Sequence, residues 1–469
     1  MRKTNEGANT FEHSLNHALE FFSKAGSLFV NKESFYKEEE SALSLFQKSW
    51  IVDKELTMKL LLWLRDCRLG AGNRSGAREC YKWLAENDPE WLITNIGWLP
   101  TVGRWDDLRS LFGTKAESAA ADLWVAALRD NQILAAKWAD RSDTPLRKRM
   151  KMSIGDFRRF LANMRKNHIV EYKMCNKKWH EIDYSKVPSV AMARYNRAFG
   201  RNDEERFNAY KEALAAGKTK IHASVLFPHD CVRNVRSGDK EIADAQFEAL
   251  PNFMEKSNER IIVISDTSSS MGVVVAGSIR AVDISQGLAL YCSSKLPKDS
   301  PFYKKFIAFC SESSFKNWAG MSFSKAVLNR DIFDGAVGAT RIDKALNLIL
   351  DTAQMLRVEN DHMPTTLLIV SDMQFHSSYA YGMDGCKSTD TEIEKSLKRW
   401  DKAGYTRPKI IYWNTAGYAG SPSTVKNINT GLVSGFSPSI LESIFEGDDL
   451  TPMSILLRTV SKYTITIPE

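Results

Sequence analysis

Asp266, Ser268 and Ser270 form a D-x-S-x-S run that follows directly on the apolar stretch "IIVI". One carboxylate and two hydroxyls on a single loop are hard oxygen donors, suited to Mg²⁺ or Ca²⁺ and poor for zinc. Two other oxygen donors stand at comparable places. Thr340 lies in "GATRIDKALNLIL", in a loop just ahead of a helical pattern, and Asp372 ends the apolar run "LLIVSD". Bond-breaking chemistry is not readable here. An activated serine needs a base within reach, and the eight histidines fall singly. His376, shortly after Asp372, reads as a rim or packing residue, so the protein is expected not to be an enzyme.

Positioning such donors is the task of the elements around them. From residue 258 short β-rich runs ("RIIVIS", "YKKFIAF", "TTLLIVS", "KIIYWN", "GLVSG") alternate with helical patterns over 276–295, 340–357 and 389–403, and two more helices follow. That alternation predicts a doubly wound α/β domain over 258–469, with a parallel sheet between helices. In such sheets ligands bind beyond the carboxyl ends of the strands, where Asp266 and Asp372 stand. The plainer reading, that Asp266 and Ser268 only cap a helix, does not account for Thr340 and Asp372.

Residues 1–250 have a different texture. Apolar residues recur at helical spacing through "SALSLFQKSWIVDKELTMKLLLWLRDC", "ADLWVAALRDNQILAAKWA" and "DEERFNAYKEALAAG". Successive helices with short loops predict an α-helical repeat domain or an irregular bundle. Its charge is uneven. Lys137 to Lys178 hold 13 Lys and Arg against 4 Asp and Glu, although the whole chain carries only +7. Within this segment, Arg147, Lys148, Arg149 and Lys151 form one cluster. In "IGDFRRFLANMRKN", Arg158, Arg159, Arg165 and Lys166 lie off the apolar stripe in two columns. Trp138, Tyr172 and Trp179 are interspersed and could stack on bases. These eight cations are the candidate RNA-binding residues, against the alternative of a solvated basic face.

Two glycine-rich stretches carry less. "AAGKTK" ends like a phosphate-binding loop but has Glu212 at the first-glycine position and follows a helix. "RLGAGNRSGAR" is a basic interhelical loop, able to touch phosphates or simply to turn in solvent. No apolar run approaches the roughly 18 residues that a membrane span needs. The N-terminus is polar, and the seven cysteines show no C-x-x-C pair. A cytoplasmic protein with reduced thiols is expected.

The order of elements and of "DTSSS", "GATR" and "SDM" resembles the von Willebrand factor A (VWA) domain with its metal-ion-dependent adhesion site. The resemblance implies that Asp266, Ser268 and Ser270 contact a metal, with Thr340 and Asp372 acting directly or through water. Mg²⁺ is the expected ion, with Ca²⁺ or Mn²⁺ as substitutes. One departure is methionine after Asp372, where many VWA domains have glycine. Helical repeats followed by a VWA domain resemble the Ro autoantigen (TROVE) proteins, which hold small noncoding and misfolded RNAs. The stretches "TNEGANTFEHS", "WLAENDPEWLITNIGWLPTVGRWDDL", "EYKMCNKKWHEIDYSKVPSVAMARYNRAF" and "GLVSGFSPSIL" resemble the family called domain of unknown function 2828. The expectation is thus a Ro-like protein that holds RNA on its helical part. The alternative is a scaffold whose metal receives an acidic side chain of a protein partner.

Overall fold

Asp266 is the last residue of β1 (Ile261–Asp266), and all 6 residues of that strand are buried. The structure, a computed structural model, describes residues 2–468 apart from 31–39, 167, 256, 258, 334–338, 378–390 and 447–449. β1 is flanked by β2 (Lys305–Phe309) and, on its other side, by β4 (Thr366–Ser371), also wholly buried. β5 (Lys409–Asn414) and β6 (Thr430–Ser434) extend the sheet beyond β4, and β3 (Ser313–Asn317) closes the opposite edge. The order is β6-β5-β4-β1-β2-β3, parallel except for the antiparallel pair β2–β3. Helices flank it: Ala281–Lys295 lies against β1 and β4, and Ile342–Leu356 against β2 and β3. Burial on both faces explains why β1 and β4 are uninterrupted apolar runs.

Two details differ from the alternation expected over this region. β3 was not anticipated: "SSFKN" has one large hydrophobe, Phe315, 43% exposed, and is otherwise polar, as suits an edge strand facing water. The helix expected from 276 begins at Ala281. Before it, Val274–Ala276 and Ile279–Arg280 pair as a small hairpin. Gly277, at φ +59, supplies the left-handed turn that the consecutive valines could not.

After β1 the chain steps to β2 on one side, and after β3 it returns to β4 on the other. Direction therefore reverses between β1 and β4, and such a switch point is where ligands bind in open α/β sheets. Asp266 and Asp372 flank it.

The helical part is anchored to this sheet at two places. Helix His17–Ala25 packs on β6, where Ser434 Oγ donates to the Phe22 carbonyl at 2.6 Å and accepts from Gly26 N at 3.1 Å. A Cβ at Gly26 would sit 2.7 Å from that hydroxyl, so the close approach needs glycine. At the other end of the helical part, helices Pro228–Ser237 and Lys240–Glu248 pack on Ala281–Lys295 and Phe323–Leu328. The chain thus leaves the α/β part through one set of helices and returns through another. One hydrophobic cluster runs through both parts, from Ala8 to Tyr463. A second, smaller one is built around Tyr184, Met192, Phe199 and Phe207. Among the described residues no helix is long and apolar enough to cross a membrane.

Candidate metal centre and basic face

β1 and β4 run side by side with Ser265 opposite Val370, so Asp266 and Asp372 leave neighbouring strand ends. Ser371 Oγ donates to Asp266 Oδ2 at 2.5 Å, and the Ser268 N–H donates to Asp266 Oδ1 at 2.9 Å. That second bond folds the D-x-S-x-S loop back on its own carboxylate. It leaves the Ser268 and Ser270 hydroxyls 3.2 Å apart. The Gln374 N–H holds Asp372 Oδ1 at 3.0 Å. Thr340 comes from a separate loop and is held to the Asp372 loop by two bonds. Its N–H donates to His376 Nδ1 at 2.7 Å, and its carbonyl accepts from the His376 N–H at 2.9 Å.

All five sequence-predicted donors are enclosed: Asp266 is 0%, Thr340 and Asp372 1%, Ser270 3% and Ser268 4% exposed. Burial first, and the Asp372 carboxylate second, push Asp266 up to about 7. Hydrogen bonds from Ser371 and Ser268 act the other way, and no basic side chain is among the groups acting on it. Like charges buried together raise a pKa in this way unless a cation joins them. Two carboxylates beside three hydroxyls fit a hard divalent ion. His376 has both ring nitrogens engaged, Nδ1 by Thr340 and Nε2 by Glu6 at 2.5 Å, which makes it a buttress of the Thr340 loop.

The basic face divides into two kinds of cation. Arg165, half-buried, donates Nε to the Ala136 carbonyl at 2.8 Å and Nη2 to that of Ala139 at 2.5 Å. It closes the end of helix Ile133–Trp138. Arg149 pairs with Asp122 at 2.5 Å, Arg159 with Asp156 at 2.5 Å, and Arg147 donates to the Met152 carbonyl at 3.1 Å. The side chains of Lys148, Lys151, Arg158 and Lys166 are exposed and bond to no described residue. Two of the three interspersed aromatics are occupied. Trp138 lies under the Arg104 guanidinium at 4.8 Å, and Trp179 packs edge-on to Phe199.

A further column lies beyond the basic segment of residues 137–178. Arg194, Arg197 and Arg201 are exposed on one face of helix Ser189–Asn202 and bond to no described residue. Their spacing of three and four was the available signal. This helix joins the basic segment through Tyr195, whose hydroxyl reaches Glu171 at 3.5 Å, and Glu171 in turn pairs with Lys137 at 2.9 Å. The glycine-rich stretch 68–78 serves in part as a joint, although Arg68 and Arg74 within it are exposed. Asn73, fully buried, donates to the Ala25 and Leu28 carbonyls at 2.9 and 2.8 Å, and Ala71 lies against Gly435. Gly217 follows helix Glu204–Ala215, so no strand precedes the lysine-threonine pair.

Comparison with known proteins adds the following. Over 486 aligned residues the chain is 24% identical to an uncharacterized protein of Acanthamoeba polyphaga mimivirus, covering 90% of this chain and 82% of that one. The crystal structure of the Deinococcus radiodurans RO (RSR) protein aligns over 95% of this chain and 99% of its own, at 13% identity and a TM-score of 0.46. A domain of unknown function, DUF7788, matches residues 260–457. A second, DUF2828, matches 4–153 and 136–266. Since these last matches span more than half of the chain, the protein belongs to the DUF2828 family.

Proposed function

We propose that this is a non-catalytic, cytoplasmic RNA-binding protein that holds RNA along its outer helices and carries Mg²⁺ at its strand ends. One observation carries the reading: Lys148, Lys151, Arg158, Lys166, Arg194, Arg197 and Arg201 are exposed, their side chains bond to no described residue, and they lie on or directly beside helices Thr144–Arg149, Ile154–Arg165 and Ser189–Asn202. Cations left without internal partners are available to phosphates, and spacing along two helices suits a backbone that tracks past them. Free cysteines among the described residues suit a reducing compartment.

Mg²⁺, or Ca²⁺ or Mn²⁺ in its place, would supply a fixed positive charge between Asp266 and Asp372, with Ser268, Ser270 and Thr340 as neutral donors. Enclosure of all five residues favours an ion that ties three loops together over one presented to a partner's carboxylate. The test is filter binding of unstructured and structured RNAs, and of duplex DNA, to nuclease-treated protein. RNA binding that weakens steeply with salt is expected. If no RNA binds at low salt while a protein is captured in a Mg²⁺-dependent way, the scaffold reading replaces this one.

A further inference from the structure

The N-terminal residues 4–11 cross the α/β part beside the candidate metal centre, more than 360 positions away in sequence from the loop they meet. Thr4 Oγ1 donates to the Phe375 carbonyl at 2.6 Å. Gly7 bridges to His376 and Phe11 to Ser421, both antiparallel, and the Ser377 N–H donates to the Glu6 carbonyl at 3.3 Å. Between these anchors, two consecutive side chains point at different parts of the site. Asn5 donates to Gln374 Oε1 from its backbone at 3.0 Å and from Nδ2 at 2.9 Å. The backbone N–H of that same Gln374 holds Asp372 Oδ1. Glu6 engages His376 Nε2, and His376 holds Thr340 through Nδ1 and its own N–H.

We infer that Asn5 and Glu6 are positioning residues of the metal centre, each one residue removed from a donor: Asn5 behind Asp372 through Gln374, Glu6 behind Thr340 through His376. The inference rests on the metal reading given above. The D-x-S-x-S loop needs no such help, because it is tied to Asp266 by its own backbone. Asp372 opens the segment that is bonded to the arm, and Thr340 is held to that same segment by His376. The Thr340 N–H sets the histidine tautomer. With Nδ1 accepting from Thr340, the ring proton sits on Nε2 and is donated to the Glu6 carboxylate. Residues that orient metal-binding groups from behind change affinity about 10- to 100-fold when removed.

Docking of the arm and metal binding are then linked in both directions. The arm leads into helix His17–Ala25, which packs on β6, so the same ion would also fasten the helical part to the sheet.

Mn²⁺ binding to the full chain, by calorimetry and by the spectrum of the bound ion, is the measurement. The N5A/E6Q double variant is expected to weaken Mn²⁺ about 10- to 100-fold, with Glu6→Gln alone contributing part of the loss. Glu12→Gln, exposed and outside these contacts, serves as control and is expected to match wild type. Reciprocally, Mn²⁺ should slow amide exchange of residues 4–11 in wild type and not in Asp266→Ala. Unchanged Mn²⁺ affinity in both arm variants, with wild type binding normally, would overturn the inference alone. Absence of Mn²⁺ binding in wild type would overturn the metal assignment and the inference together.

Discussion

At the strand ends, five short polar side chains are enclosed, and backbone or neighbouring hydroxyls fix several of them in place. On the outer helices, eight long cations from Arg147 to Lys166 spread over a surface, and four of them are spent on internal partners. Short side chains next to a strand end have little freedom, so the chain's path decides where their oxygens lie. A lysine or arginine reaches many places, and whether its charge faces solvent depends on acids and carbonyls distant in sequence. The comparison therefore separates a site set by topology from one set by which charges remain over.

The strongest challenge to this contrast concerns stability at the strand ends. Without metal, Asp266 is raised from 3.8 to about 7, so its ionisation opposes folding. Its contribution is fully present below about pH 4 and is lost as pH rises through about 7. Chelated wild type should lose on the order of 2–4 kcal/mol between pH 4 and 8 from this group. Asp266→Asn should remove that dependence and unfold later than wild type in chelator at pH 8. Added Mg²⁺ should reverse the order by stabilising wild type only. Urea unfolding across pH, with and without Mg²⁺, measures this. Parallel pH profiles for the two proteins would show that ionising Asp266 does not oppose folding.

A smaller effect blurs the boundary between the regions. Arg165 belongs by sequence to the basic face and by bonding to the interior. Hydrogen bonds to charged groups contribute about 1.5–3 kcal/mol each, and solvent around a half-buried guanidinium reduces that. Arg165→Ala is expected to cost about 2 kcal/mol, whereas Arg158→Ala should fall within about 0.5 kcal/mol of wild type. Equal urea midpoints for the two variants would return Arg165 to the solvated surface.

Legibility in the sequence follows the same division. The central strands, and the placing of Asp266 and Asp372 at their ends, could be read because parallel strands buried on both faces are continuous apolar runs. The edge strand Ser313–Asn317 could not, since one face is open to water and its composition resembles a loop. For Arg165, periodicity placed the residue off the apolar stripe correctly but carried nothing about the carbonyls of Ala136 and Ala139. Asn5 and Glu6 were invisible as site residues, because no local pattern announces a contact across 369 positions. The Arg194, Arg197 and Arg201 column was readable at helical spacing, but charge counted in one block stopped short of it.

The sharpest use of the comparison is a salt series, in which the two kinds of basic residue should behave differently. Each phosphate neutralised on single-stranded RNA contributes about −0.7 to the slope of log affinity against log salt. Replacing Lys148, Lys151, Arg158 and Lys166 by glutamine should flatten the slope by up to about 3 units, and replacing Arg194, Arg197 and Arg201 by up to about 2. Replacing Arg149 and Arg159, both ion-paired with aspartates, should change it by less than about 0.7, because those charges are already partly neutralised. Asp266→Ala should leave the slope unaltered, since phosphates on the helices do not touch the strand ends. Unrelated RNAs should respond alike, because contacts to phosphate carry no sequence information. If the ion-paired set flattens the slope as much as the exposed set, the aspartates yield to RNA, and internal pairing does not decide which cations bind. If neither set matters in a folded protein that still binds RNA, the contact lies on another surface.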